Sequence, residues 1–179
     1  VLALVIVAVL AAQPHTQLPG VGPSEPTQKS NMRRAVVYVD EFASAGDLVI
    51  STQIETIPLL HYYLGPTLTY ADPTGLVDDP TVVDWRDATD RLQAASVVSG
   101  LTPLVDDLDV GAHVFLVCPR TDNDEDSLVW FRLMERHCRS SRASLDDDPD
   151  MALVLGPVAP APRGAPNASV YILVYEKLA

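Results

Sequence analysis

The chain reads as an α/β protein: a three-layer sandwich on a mixed, mainly parallel sheet, with an antiparallel strand pair at its C-terminal end, preceded by the end of a transmembrane helix. Three observations predict this. Helical and strand-like segments alternate from residue 30 to about 145, the pattern that builds parallel sheets covered by helices on both faces. Two further strand-like runs then follow each other with no helix between them, which sets them antiparallel. Finally, the chain opens on Val1 to Ala12, twelve residues without a polar side chain before Gln13.

Those twelve residues are too few to cross a bilayer, which takes roughly 20 apolar residues. They read as the second half of a spanning helix, since the basic flank of a signal peptide is missing. Residues 13–29 carry Pro14, Pro19, Gly20, Gly22, Pro23 and Pro26 and form a Pro/Gly-rich tether. No Lys or Arg occurs from Gln13 to Gln28, whereas cytoplasmic flanks collect them, so the domain from 30 to 179 is expected on the extracytoplasmic side of the cell membrane. The net charge of -12 repels phosphate backbones and argues against nucleic acid as a partner.

Within the domain, Ser30 or Asn31 caps a helix carrying Met32, Val36, Val39 and Phe42 at helical spacing and ending at Ala45-Gly46. Asp47 to Thr52 is a buried strand. Glu55 to Leu64 is a helix closed by Gly65-Pro66, and Leu68 to Tyr70 is a second strand. A loop over 71–83 precedes a helix capped by Asp84, with Asp87 three residues on and Trp85, Ala88, Leu92 and Ala95 on one face. Asp87 and Arg91 are spaced for an i,i+4 pair. Thr102-Pro103 opens a short helix. His113 to Cys118 is the central strand. A helix over 127–145 turns Phe131, Met134, Cys138, Ser141 and Leu145 to one side. Met151 to Leu155 and Val170 to Tyr175 are the closing strands.

In such sheets ligands meet the carboxyl ends of the parallel strands. Those ends hold Ser51, Thr52, Gln53 and Glu55, then Asp72, then Arg120 and Asp122. Two readings of these residues stand: a ligand pocket, or polar loop residues that cap helices. Arg132, Arg136, Arg139 and Arg142 fall on or near one helix face, suited either to lipid headgroups or a lipid-linked phosphate, or to a solvated face balanced by acidic neighbours. No catalytic residue, metal site or cofactor is assigned. The first strand runs into Gln53-Ile54-Glu55 without the glycines of a nucleotide-binding turn, no G-x-S-x-G occurs, and His15, His61, His113 and His137 are scattered. Asn167-Ala168-Ser169 matches a glycosylation sequon. Cys118 and Cys138 are expected as free thiols. With Cys118 ending a strand and Cys138 about eleven residues into a returning helix, the offset is about 16 Å at 1.5 Å per residue, against a limit near 7 Å for a disulfide.

The segments Gly46-Asp47-Leu48-Val49-Ile50, Tyr62-Tyr63-Leu64-Gly65-Pro66, Asp84-Trp85-Arg86-Asp87 with Arg91-Leu92, and Val114 to Pro119 lie in that order behind the apolar end and tether. With them the chain resembles the C-terminal region of bacterial integral-membrane glycosyltransferases of the protein O-mannosyltransferase-like kind. The resemblance implies an enzyme that takes sugar from a polyprenyl-phosphate donor, with catalytic acidic residues in an early outer loop that this sequence does not contain. On that reading the chain is a non-catalytic accessory domain, with the membrane and a lipid-linked sugar or acceptor as partners. The alternative is a membrane-tethered binding or structural module unrelated to sugar transfer.

Overall fold

The computed structural model describes residues 31–120, 129–158 and 169–179. The apolar end at 1–12, the tether at 13–29, Asp122 and the Asn167-Ala168 part of the sequon lie outside the described residues. Among the described residues no helix is long and apolar enough to cross a membrane.

One six-stranded mixed sheet organises the domain. Its strands are β1 (Leu48–Ser51), β2 (Thr69–Asp72), β3 (Gly75–Leu76), β4 (His113–Pro119), β5 (Met151–Val158) and β6 (Val170–Lys177), in the order β3-β2-β1-β4-β6-β5. Among the described residues the helices are α1 (Met32–Asp40), α2 (Ile57–Leu64), α3 (Ala88–Ala94), α4 (Val97–Gly100), α5 (Thr102–Asp106) and α6 (Val129–Asp147), and a 3-10 turn covers Ile54–Thr56. The pairings β1 with β2 and β1 with β4 are parallel. β2 with β3, β4 with β6 and β5 with β6 are antiparallel, so the parallel part is confined to β2-β1-β4 rather than dominating the sheet. The closing strands pair antiparallel as expected, each running a few residues past its expected end.

Alternation along the central strands divides their side chains between two clusters. Val49, Tyr70, Phe115, Val117, Ile172 and Val174 share a cluster with Met32, Ala35, Val36 and Val39 of α1 and with Ile57 and Leu60 of α2. Leu48, Ile50, Ala71, Val114, Leu116, Leu173 and Tyr175 share the other with Leu101, with Val105 of α5 and with Cys138 and Leu145 of α6. Burying each Val, Leu, Ile, Phe or Met among them stabilises the fold by about 1.5–3 kcal/mol.

Polar side chains fix the strand ends. Asp47, expected at the start of the first strand, lies just before it, buried, where its carboxylate accepts from the Ser44 N–H at 2.8 Å and the His113 N–H at 2.9 Å. It thereby joins the starts of β1 and β4. Asn31 makes no side-chain cap on α1. Its amide instead gives a hydrogen bond to the Val170 carbonyl at 2.6 Å and takes one from the Val170 N–H at 2.8 Å, completing the start of β6.

Three local expectations are corrected. The first helix ends at Asp40, and Phe42 packs against the core from the following turn. The helix expected from Asp84 begins at Ala88. Asp84 is occupied by Arg86, whose backbone N–H and guanidinium both bind it, so the chain turns there instead of entering a helix. Arg91 accordingly donates to the Asp84 carbonyl rather than pairing with Asp87.

The third correction concerns the cysteines, which are joined. Cys118 and Cys138 form a disulfide with their Cα atoms 5.5 Å apart. The distance expected from sequence assumed that the helix starts level with the end of the strand. It does not: Leu133 of α6, with Trp130 packed alongside, sits against Ile54 of the 3-10 turn and Ala88 and Leu92 of α3, in a third cluster separate from the two on the sheet. The opening turns of α6 thus engage elements that lie outside the sheet, and Cys138 comes level with Cys118.

Candidate functional site

Because β1, β2 and β4 are parallel, their carboxyl ends lie at one edge of the domain. The residues expected to line it have separate duties. Ser51 and Thr52 are buried and committed to the backbone: the Ser51 hydroxyl bonds the Gln53 carbonyl at 2.9 Å and meets the Thr56 hydroxyl at 2.8 Å, while the Thr52 N–H donates to the Val117 carbonyl at 3.0 Å. Asp72 accepts from the N–H and hydroxyl of Thr74 at 2.7 and 2.6 Å, holding the turn into β3. Arg120 is exposed, and its backbone N–H donates to Ser169.

Gln53 and Glu55 behave differently. The Gln53 amide donates to Glu55 Oε1 at 3.2 Å, and the Trp130 indole N–H donates to the same oxygen at 3.4 Å. Gln53 Oε1 and Glu55 Oε2 are buried with no hydrogen-bond partner among the described residues. A carboxylate on the turn after β1 therefore sets the orientation of a tryptophan at the start of α6. Trp130 in turn packs against Trp85, centroids 5.6 Å apart and planes tilted by 46°.

These two rings, with Asp87, Ala88, Thr89 and Asp90, line a cleft of about 470 Å³. Ile54, Ala88, Leu92 and Leu133 pack together beside it, so the cleft lies just beyond the carboxyl end of β1. Trp85 remains 56% exposed, although its helical spacing with Ala88 and Leu92 assigned it to a buried face. Asp87 sits in the left-handed region at φ 49, a conformation that Asp tolerates better than most residues. The available signal was that each tryptophan of the chain follows an acidic stretch of sequence, Asp78-Asp79 and Asp84 before Trp85 and Asp122 to Asp126 before Trp130.

The four arginines of α6 differ in their local contacts. Arg136 reaches the Leu92 and Gln93 carbonyls at 3.4 and 3.3 Å, capping the C-terminal end of α3. Arg139 faces Glu135 at 3.9 Å, Arg142 pairs with Asp146 at 3.2 Å, and Arg132 is exposed. Beside Arg136, the buried His137 gives its Nε2 proton to the Leu92 carbonyl at 2.6 Å. Burial holds the imidazole below the usual histidine range, and the Arg136 charge adds to this, although the Leu92 bond and Asp72 pull the other way.

Among the described residues no group of three or more His, Cys, Asp or Glu is placed to hold a metal ion. No family model, curated protein or solved structure matches this chain.

Proposed function

We propose that the chain is the extracytoplasmic accessory domain of a membrane-embedded sugar transferase, a three-layer α/β unit that binds a ligand while bond-making is done by another part of the enzyme. The cleft carries this reading: a pair of indole rings in contact, one of them bound to Glu55, with carboxylates and a hydroxyl at the carboxyl edge of the parallel strands. Aromatic faces and hydrogen-bond acceptors are the chemistry of recognition. Two further features support the setting. The sequence before the domain is an apolar run and a Pro/Gly-rich tether, and a buried disulfide suits an oxidising compartment outside the cytoplasm.

The test uses the complete membrane protein, with and without residues 30–179, in isolated membranes. Transfer of sugar from a polyprenyl-phosphate donor is measured on both, with the amount of each protein equalised. The expected result is transfer by the parent and a loss of at least tenfold on truncation. Absence of transfer by the parent would leave a tethered module unrelated to sugar transfer as the better account, and transfer unchanged by truncation would remove the accessory role.

A further inference from the structure

Resting on the reading of the cleft as a binding site, we infer that its ligand is a neutral saccharide, one pyranose ring lying on the step formed by Trp85 and Trp130 with its hydroxyls on Asp87, Thr89 and Asp90. Ring spacing separates the ligand classes. With centroids 5.6 Å apart the two indoles touch, which leaves no room for a guest between them. A cage for a quaternary ammonium group surrounds the cation with several aromatic faces. Two touching rings instead offer adjoining apolar faces, tilted by 46° to each other and open to solvent at Trp85. That shape fits a pyranose, whose ring carries C–H bonds on a face and hydroxyls around its rim. The C–H hydrogens meet the negative π faces, and the hydroxyls donate to carboxylates or exchange hydrogen bonds with Thr89.

Charge narrows the class further. Asp87 and Asp90 line the cleft, while the neighbouring guanidiniums of Arg86 and Arg91 are bound to Asp84, so the lining disfavours a phosphate or another anion. For a lipid-linked sugar this selects the sugar over its phosphate. One of the two rings is also held in advance: the Trp130 N–H is bound by Glu55, which is bound in turn by the buried Gln53. Little ordering is then left to be done when a ligand stacks.

Both tryptophans of the chain are in the cleft, so intrinsic fluorescence reports on it without a label. The 179-residue chain is titrated in a polyoxyethylene detergent, which carries neither sugar nor ammonium, with methyl α-mannoside, methyl β-glucoside, mannotriose, choline and inorganic phosphate. The expected result is a saturable emission change with at least one saccharide, competition between saccharides, and no saturation by choline or phosphate. Trp85→Ala, at an exposed position, should weaken binding at least tenfold with the circular dichroism spectrum unchanged, the remaining Trp130 serving as reporter. Tyr62→Ala, exposed on α2 outside the cleft, should bind as the parent does. Saturation by choline alone overturns the saccharide and keeps the cleft as a binding site. Silence from every probe overturns both, while the accessory role is still decided by the transfer assay.

Discussion

His137 shows how a single side chain ties elements together and makes the fold sensitive to pH. It is 3% exposed, and burial lowers its pKa, outweighing the bond by which its Nε2 proton reaches the Leu92 carbonyl at the end of α3. Its folded pKa lies below its unfolded value near 6.5. In the interval between the two, the unfolded chain binds more protons, so stability rises with pH across that interval and is flat above it for this group. Lowering the pH from 7.5 through 6.5 to 5.5 is therefore expected to reduce the urea midpoint. In His137→Gln, whose amide can still donate to Leu92, the decline over this range should be shallower. Equal slopes in the two proteins would show that His137 does not carry the effect.

At the scale of elements, β5 shows how an edge strand is shaped. Its side chains are largely exposed, and its register against β6 shifts twice, between Leu153 and Leu155 and between Leu155 and Val158. Such irregularities discourage pairing with another chain. Gly156 lies in the second of these, at φ +148, where an added Cβ would come 2.6 Å from Leu173 Cδ2 and 3.1 Å from Leu173 Cα. Gly156→Ala must displace the buried β6 backbone or strain its own, and should cost about 1–3 kcal/mol in chemical unfolding. A variant as stable as the parent would mean that the two strands separate there without penalty. Elements whose pattern is set by burial were legible in the sequence: β1, β4 and β6 as apolar runs, and α6 through Met134, Cys138, Ser141 and Leu145. Elements set by local competition were not. Asp84 and Asp87 resembled a cap, but Arg86 captured Asp84, delayed α3 to Ala88 and left Trp85 outside, where it became half of the cleft. Two-residue β3 and four-residue α4 are too short to show a period.

At the scale of the whole molecule, the disulfide joins the central strand to α6, and the sequence could not show it because the position of α6 along the strand is set by tertiary contacts. Both sulfurs are buried, and the Tyr171 hydroxyl of β6 donates to Cys138 at 3.0 Å, so the bond lies where three elements meet. The cysteines are 20 residues apart. Closing a loop of that size removes chain entropy from the unfolded state worth about 3 kcal/mol. Two measurements follow from this. Titration of the unreduced protein in denaturant should find no free thiol, and two after reduction. Cys118→Ser combined with Cys138→Ser should lower the unfolding free energy by about 3 kcal/mol, and chain made in a reducing cytoplasm should unfold like that double variant until it is oxidised. Two reactive thiols in protein isolated from the cell envelope would contradict the bond itself. A bond that forms without changing the unfolding free energy would instead place the holding of α6 over the sheet on packing alone.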